Sequence, residues 1–168
     1  TVTDAVLESI SVTPSTPTVA LGLTEQFTAT GTFSDTSTED LTTSVDWSSD
    51  NLNVTISNSG LATVSVSATP GAIVVITATS GLVSNTADLT VTDAVLESIG
   101  VAPGAPSVAL GLTEQITATG TFSDTSTEDL TTSVDWSSDN LNVTISNSGL
   151  ATVLGSATPG AIVVITAT

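Results

Sequence analysis

The 168-residue chain contains 17 acidic residues and no Lys, Arg or His, so its formal net charge is −17. Nucleic acids and anionic lipid surfaces are bound mainly through Lys and Arg, so the composition excludes both kinds of partner. Because His, Cys, Lys and Tyr are all absent, carboxylates are the only general acids and bases, and we predict that the protein is not an enzyme.

The charge reflects missing bases rather than a high density of acids, since only 10% of residues are charged and 39% are apolar. Disordered chains combine low hydrophobicity with high charge, so this composition predicts a folded protein. The apolar segment at 71–79 is far shorter than the roughly 20 residues of a membrane helix, and we predict no membrane insertion. Without Met or a signal peptide, we interpret the sequence as part of a longer polypeptide.

The chain repeats itself with a period of 89 residues, and residues 1–79 differ from residues 90–168 at eight positions. Such a period is too long for a solenoid repeat and fits one immunoglobulin-like sandwich of roughly 100 residues. We therefore predict two domains, residues 1–89 and 90–168, with the last strand of the first running on to about Thr92.

Each repeat has the pattern of short strands separated by turns. Thr supplies 34 of the 168 residues and, with Val and Ile, favours pleated sheet because β-branched side chains fit it well. Phe27, Ala29 and Phe33 alternate with Thr in FTATGTF, as in a half-buried strand. The strands predicted in the first repeat are 7–12, 27–33, 45–48, 54–56, 61–64, 73–79 and 83–92, with turns at 14–17, 34–40, 58–60 and 70–71.

The eight differences between the repeats also carry structural information. Five lie between positions 11 and 18, which we interpret as a surface loop that tolerates change. The exchange of Phe27 for Ile116 predicts a core position, because both residues are apolar. The change of Ser65-Val66 to Leu154-Gly155 would turn an apolar residue to the other face of a strand, so we predict a loop or bulge there.

One Trp occurs in each repeat, at Trp47 and Trp136, in the third of the predicted strands. Sandwiches of this kind often bury a large ring at this place. We therefore expect the ring to pack in the core rather than to stack on a ligand.

Five segments of the first repeat resemble the bacterial immunoglobulin-like domain of group 2, the invasin and intimin type. They are LESISVTP at 7–14, ALGLTEQFTATGTFSD at 20–35, VDWSSDN at 45–51, ISNSGLAT at 56–63 and ITATSG at 76–81. The resemblance covers essentially all of both repeats. It implies an all-β fold of two tandem immunoglobulin-like β-sandwiches of about seven strands, and it offers no catalytic residues to carry over.

Near-identical adjacent repeats resemble the long stalks of large secreted bacterial adhesins. The resemblance implies a stalk or spacer module of an extracellular protein at the bacterial cell surface. Its partners would be neighbouring Ig-like repeats in the same chain or filament, and a cell-surface or glycan ligand. The alternatives are a filament subunit assembled by strand complementation, a carbohydrate-binding module and a virion-surface domain.

The second repeat reaches Thr168 before the segment that forms the predicted last strand of the first repeat. A sandwich that lacks an edge strand exposes unpaired backbone groups and part of its core. Either the sequence is a piece cut from a longer array, or a neighbouring subunit supplies the strand. Residues 1–3 are repeated as residues 90–92, where the last predicted strand of the first repeat ends, so they would be the end of a preceding domain's last strand.

Carboxylates flank the predicted joints between domains. In this topology Asp93 of the linker would approach the loop after the second predicted strand of the next domain, and Asp50 would reach a joint from the other side. Converging carboxylates suit a hard cation, because Ca²⁺ takes six to eight oxygen ligands. Two interpretations stay open. Either these carboxylates belong to solvated turns, or they hold calcium through Asp93, Asp124, Glu128 and Asp129, and through the equivalent Asp4, Asp35, Glu39 and Asp40.

Overall fold

The structure, a computed structural model, describes residues 4–168. In this part of the chain, alternating apolar and hydroxyl side chains form strands that are joined by turns, and there is no helix. This confirms the all-β fold class. The chain divides into two units, unit 1 ending at Val95 and unit 2 spanning Leu96–Thr168. Within residues 4–168 no helix is long and apolar enough to cross a membrane. The prediction made for residues 1–3 lies outside the described residues.

Unit 1 contains three sheets, with strand orders β1-β4-β5, β2-β10-β9-β6 and β3-β8-β7. Neighbouring strands are antiparallel, except that β2 runs parallel to β10. The strands are β1 (Leu7–Thr13), β2 (Thr18–Ala20), β3 (Thr24–Gln26), β4 (Thr28–Phe33), β5 (Thr38–Asp40), β6 (Asp46–Ser49), β7 (Val54–Ile56), β8 (Leu61–Val64), β9 (Ile73–Ser80) and β10 (Val83–Thr92).

All seven predicted strands are present, but the count of seven is too low. The three additional strands β2, β3 and β5 have three residues each, too few for an apolar alternation to become visible. Strand β5 lies inside the predicted turn at 34–40, where all three of its residues are exposed. Since β5 buries none of its residues, it is held in the sheet by its pairing with β4, which the hydrophobic pattern cannot reveal.

The interpretation of positions 11–18 as a surface loop is wrong in part. Ser11 and Thr13 lie in β1 and Thr18 begins β2, while only Ser15 and Thr16 occupy the bend between these strands. The three strand residues are all exposed. They differ between the repeats because an outward-facing position tolerates change as readily as a loop does.

Unit 1 holds 18 of the 22 buried apolar residues of the described chain. Phe27 is fully buried and its counterpart Ile116 is also buried, which confirms the predicted core position. The half-buried ring of Trp47 packs against this core, with its centroid 6.4 Å from that of Phe27. The pair Ser65-Val66 follows β8 in a loop, as predicted.

Unit 2 also has three sheets, with strand orders β11-β13-β14, β12-β17-β16 and β15-β18. No strand equivalent to β2 or β10 occurs in Leu96–Thr168, so Leu110 is 45% exposed whereas its counterpart Leu21 is 9% exposed. The strands are β11 (Leu96–Ala102), β12 (Thr113–Gln115), β13 (Thr117–Phe122), β14 (Thr127–Asp129), β15 (Trp136–Ser138), β16 (Val143–Ile145), β17 (Leu150–Val153) and β18 (Ile165–Ala167).

Candidate functional site

Asp35, a predicted calcium ligand, lies in the tight turn between β4 and β5. Its Oδ1 accepts hydrogen bonds from the hydroxyl of Ser37 and from the backbone N–H of Ser37 at 3.0 Å. These two bonds, the hydroxyl bond first, lower the pKa of Asp35. The turn also holds Thr36 at a φ of 68°, a left-handed conformation that is rare for a β-branched residue. Asp124 and Ser126 repeat the arrangement in unit 2.

Asp40 ends β5, and its carboxylate binds a buried threonine. The Oδ1 atom accepts a hydrogen bond from the N–H of Thr42 at 2.9 Å, and the side chain and backbone of Thr42 lower the pKa of Asp40. Thr42 Oγ1 in turn accepts the N–H of Ala29 at 3.0 Å, and its carbonyl accepts the indole N–H of Trp47 at 2.8 Å. The same bonds recur in unit 2. Thr42 therefore ties β5 to the core.

The other predicted calcium ligands, Asp4, Glu39, Asp93 and Glu128, are exposed. Asp50 accepts the N–H of Val75 at 2.9 Å. Within residues 4–168 no group of three or more acidic side chains is placed to hold a metal ion. Calcium at the domain joints stays a prediction from the sequence. It can be tested by calorimetric titration of the intact chain with Ca²⁺, in which the Asp93→Asn variant is expected to lose the binding heat.

The buried bond between Thr42 and Ala29 leads to a stability prediction. Thr42→Val keeps the shape of the side chain but leaves the N–H of fully buried Ala29 without its acceptor. We expect a loss of about 1–3 kcal/mol in the free energy of unfolding. Urea unfolding followed by Trp47 fluorescence in a Trp136→Phe background reports on unit 1 alone. Thr55→Val, at an exposed position of β7, is the control, and equal losses in the two variants would contradict the prediction.

The hydrogen bonds at Asp40 predict a pH dependence. Because its pKa is lowered in the folded state, ionised Asp40 stabilises the fold above the ordinary pKa of 3.8, and this contribution disappears as the pH falls through the lowered value. Asp88→Ala, on the exposed face of β10, removes the same charge and serves as the control. Asp40→Ala should unfold at lower urea than Asp88→Ala at pH 7, and the difference should shrink below pH 3.8. A difference that is constant with pH would contradict this.

The outer face of the β1-β4-β5 sheet carries a block of hydroxyl groups, which we call the hydroxyl block. The strand register aligns it in rows, and the hydroxyls of Thr13 and Thr28 lie 2.7 Å apart. Gly100 and Ala102 shorten the equivalent block in unit 2. Alternation predicts that these side chains face outward, but only the register shows which of them are neighbours. The members are Ser9, Ser11, Thr13, Thr28, Thr30, Thr32 and Thr38.

A shallow surface depression lies beside the β4–β5 turn. It is lined by Ala5, Phe33, Ser37, Thr38 and Glu39. Glu39 is the one carboxylate among these lining residues. Carboxylates are the only general acids and bases of this chain, and the reaction they commonly catalyse as a pair, glycoside hydrolysis, requires two carboxyl groups across the scissile bond. The depression therefore offers no acid–base pair.

The absence of cations from the sequence predicts an unusual response to salt. Like charges repel throughout the folded chain, and salt shortens the range of that repulsion from about 30 Å at 0.01 M to about 10 Å at 0.1 M. The melting temperature should therefore rise over this range, and equally in NaCl and KCl if screening is the cause. A melting temperature that is unchanged or falls would contradict the prediction.

Comparison with known proteins gives a family match and one long sequence match. The model of the bacterial Ig-like domain (group 2) matches residues 6–91. Ice-binding protein 1 of Shewanella frigidimarina (strain NCIMB 400) is 47% identical to this chain over 154 residues, which cover 90% of this chain and 17% of that protein. The match is longer than one 89-residue repeat, so it includes parts of both repeats. The chain spans less than a fifth of the length of that relative.

Two solved structures illustrate the structural matches. The S-layer protein rSbsC aligns with a TM-score of 0.47 and 21% identity, over 99% of this chain and 27% of that chain. Extracellular domains 3–5 of Drosophila OTK align with a TM-score of 0.43 and 10% identity, over 96% of this chain and 61% of that chain.

Proposed function

This chain belongs to the bacterial Ig-like domain family (group 2), and from that membership we propose that it is a spacer module of a larger extracellular bacterial protein. The module is structural rather than catalytic. It holds a binding domain of the larger protein away from the cell, with neighbouring Ig-like repeats as its partners. The cell-surface or glycan ligand belongs to that binding domain.

The buried core of unit 1 carries the proposal. Phe27, Leu89 and Ile76 are all fully buried within one sandwich, which therefore needs no partner to complete it. A self-contained sandwich can be repeated to add length without a new interface. The outer surface suits the same role, because exposed Thr and uniform negative charge favour solubility and keep chains apart.

One relative is named an ice-binding protein, and we propose that this chain serves such a protein as a spacer and not as its ice-binding surface. The hydroxyl block is a polar surface of unit 1 whose hydroxyl groups lie in rows. It is nevertheless broken in unit 2, where Gly100 and Ala102 replace the hydroxyl-bearing residues Ser11 and Thr13. A surface that bound ice through hydroxyl rows would need them in both repeats, whereas a hydrated outer face does not.

Ice partitioning tests this proposal directly. The purified 168-residue chain should be excluded from a slowly growing ice hemisphere, while the Shewanella ice-binding protein, run in parallel, is incorporated. Incorporation of this chain at the level of that protein would overturn the spacer role. A glycan array probed with the same chain should give no signal above that of the urea-unfolded sample, and a saturable hit would favour a binding module instead.

A second candidate function is the filament subunit, in which neighbouring chains assemble by strand complementation. Such a subunit would complete its sandwich with a strand from a neighbour. Sedimentation velocity over a range of concentrations tests this candidate, because a filament subunit should form species that grow with concentration. A single species at all concentrations would speak against it.

A further inference from the structure

Each unit contains one acceptor sequence for N-linked sugars, at Asn53-Val54-Thr55 and Asn142-Val143-Thr144. The acceptor pattern is Asn-X-Ser or Asn-X-Thr, in which X is any residue except Pro. The chain has seven Asn residues, and only these two are followed two positions later by Ser or Thr. Because so short a pattern also arises by chance, the surroundings of these residues decide whether it can be used.

The polar side chains of the first acceptor sequence both lie at the surface of unit 1. Asn53 and Thr55 are exposed, whereas Val54 between them is fully buried, so the two polar side chains point away from the core. Strand β7 lies at the edge of the β3-β8-β7 sheet, and no strand in residues 4–168 pairs with its other side. A transferase can therefore approach the segment from the open edge.

The side-chain amide of Asn53 is held through its oxygen and has a free nitrogen. The hydroxyl of Ser67 donates a hydrogen bond to Oδ1 of Asn53 at 3.3 Å, and Ser156 donates to Oδ1 of Asn142 at 3.0 Å. Within residues 4–168, Nδ2 of Asn53 and Nδ2 of Asn142 donate no hydrogen bond. The atom that would receive the sugar is therefore available in both units.

A row of threonines in the same sheet offers further hydrogen bonds to an attached sugar. The register places Thr63 between Thr24 and Thr55, and all three side chains are exposed. The same row recurs in unit 2 as Thr113, Thr152 and Thr144. A sugar on Asn53 can therefore pack against uncharged hydroxyl groups.

A sugar would also cover an edge strand that lacks the usual protection. Open sheet edges tend to pair with other chains, and charged residues in an edge strand commonly prevent this. Four of the other five edge strands of unit 1, β1, β3, β5 and β6, each contain an acidic residue, but β7 consists of Val54, Thr55 and Ile56. A bulky, hydrated sugar at Asn53 would block pairing with β7.

We propose that Asn53 and Asn142 are acceptors for N-linked glycans, which are transferred from a donor sugar activated by phosphate or diphosphate at its C1. In the transfer, Nδ2 of the Asn forms a bond to C1, and the bond between C1 and the phosphate oxygen breaks. The phosphate group leaves with that electron pair, and a general base of the transferase takes the proton from Nδ2. The modification goes beyond the spacer role and does not depend on it.

Peptide mapping of the protein from its native source tests the proposal. Cleavage after acidic residues yields fragments that begin at Asn51 and Asn140, and they can be told apart because Leu154-Gly155 replaces Ser65-Val66. Each fragment should be heavier than its sequence mass by one or more sugar residues, and electron-transfer fragmentation should place the added mass on the Asn of the acceptor sequence. The same chain from a host without an Asn-glycosyltransferase is the unmodified reference.

Variants expressed in the source cells test the acceptor pattern itself. Thr55→Ala should abolish modification at Asn53, while Asn142 of the same chain stays modified. Thr55→Ser keeps the hydroxyl and should keep the sugar. Asn58→Gln, which changes an exposed Asn outside the pattern, should leave both sites modified. Because Thr55 and Asn58 are exposed, unit 1 should stay folded in all three variants, and Trp47 fluorescence checks this.

Unmodified fragments from the native protein would overturn the proposal. Added mass on Ser or Thr instead of Asn would also overturn it, as would modification of Asn53 that persists in Thr55→Ala. None of these outcomes bears on the spacer role, which ice partitioning tests separately.

Discussion

Gly60→Ala should unfold unit 1 at a much lower urea concentration than the wild type, with a loss of about 2–5 kcal/mol. Gly60 has a φ of 79°, where an L-residue costs roughly 1–2 kcal/mol. Its Cβ would in addition collide with the carbonyl oxygen of Phe27, which is backbone and cannot turn aside. Overpacking of this kind adds about 1–3 kcal/mol. The turn cannot simply move away, because the carbonyl of Gly60 accepts the N–H of Phe27 at 2.8 Å.

Gly71→Ala is the matched control for that result. Gly71 has nearly the same φ, 83°, but no atom lies within 4 Å of the place where its Cβ would be. It should therefore lose only the backbone term of roughly 1–2 kcal/mol. Both variants are compared by urea unfolding followed through Trp47 in the Trp136→Phe background. If the two variants lost equal stability, the collision with Phe27 would have no role.

Leu89→Ala should destabilise unit 1 by about 2–5 kcal/mol, because Leu89 is fully buried in the core and its truncation leaves a cavity. The effect should lie in the upper part of this range. Leu89 belongs to β10, which is paired on both sides and cannot easily shift to fill the space. The measurement is again urea unfolding followed by Trp47 fluorescence.

The control for Leu89→Ala is Leu82→Ala in the turn between β9 and β10. The Leu82 side chain is fully exposed, so its truncation should change the free energy of unfolding by no more than about 0.5 kcal/mol. A small effect at Leu89, similar to that at Leu82, would show that β10 contributes little to the core.

The strands with an apolar alternation were predictable, and those without one were not. Strand β4 alternates Ala29 and Gly31 with Thr, so burial of one face by itself indicates a strand. Strand β5 has three exposed residues and exists because its backbone pairs with β4. Because β5 buries neither of its faces, no apolar pattern within that segment indicates the pairing, even though β4 is its neighbour in sequence.

The acidic residues also show what could be predicted from the sequence and what could not. Their clustering between 35 and 40 is visible in the sequence and led to the prediction of a cation site. The structure shows that Asp35 and Asp40 each accept hydrogen bonds from residues two positions further along the chain. Asp and Ser side chains commonly bind neighbouring backbone in turns, so a local role competes with a ligand role wherever they cluster.

The all-β class and the core position at Phe27 follow from residue types and spacing, because burial and strand pleat impose a period of two on the chain. The family follows from the resemblance of five segments of the first repeat to its known members. The pairing of β5, the rows of the hydroxyl block and the buried bonds of Thr42 depend on how separate segments align with one another. Strand register, which no apolar pattern within one segment encodes, decided these features.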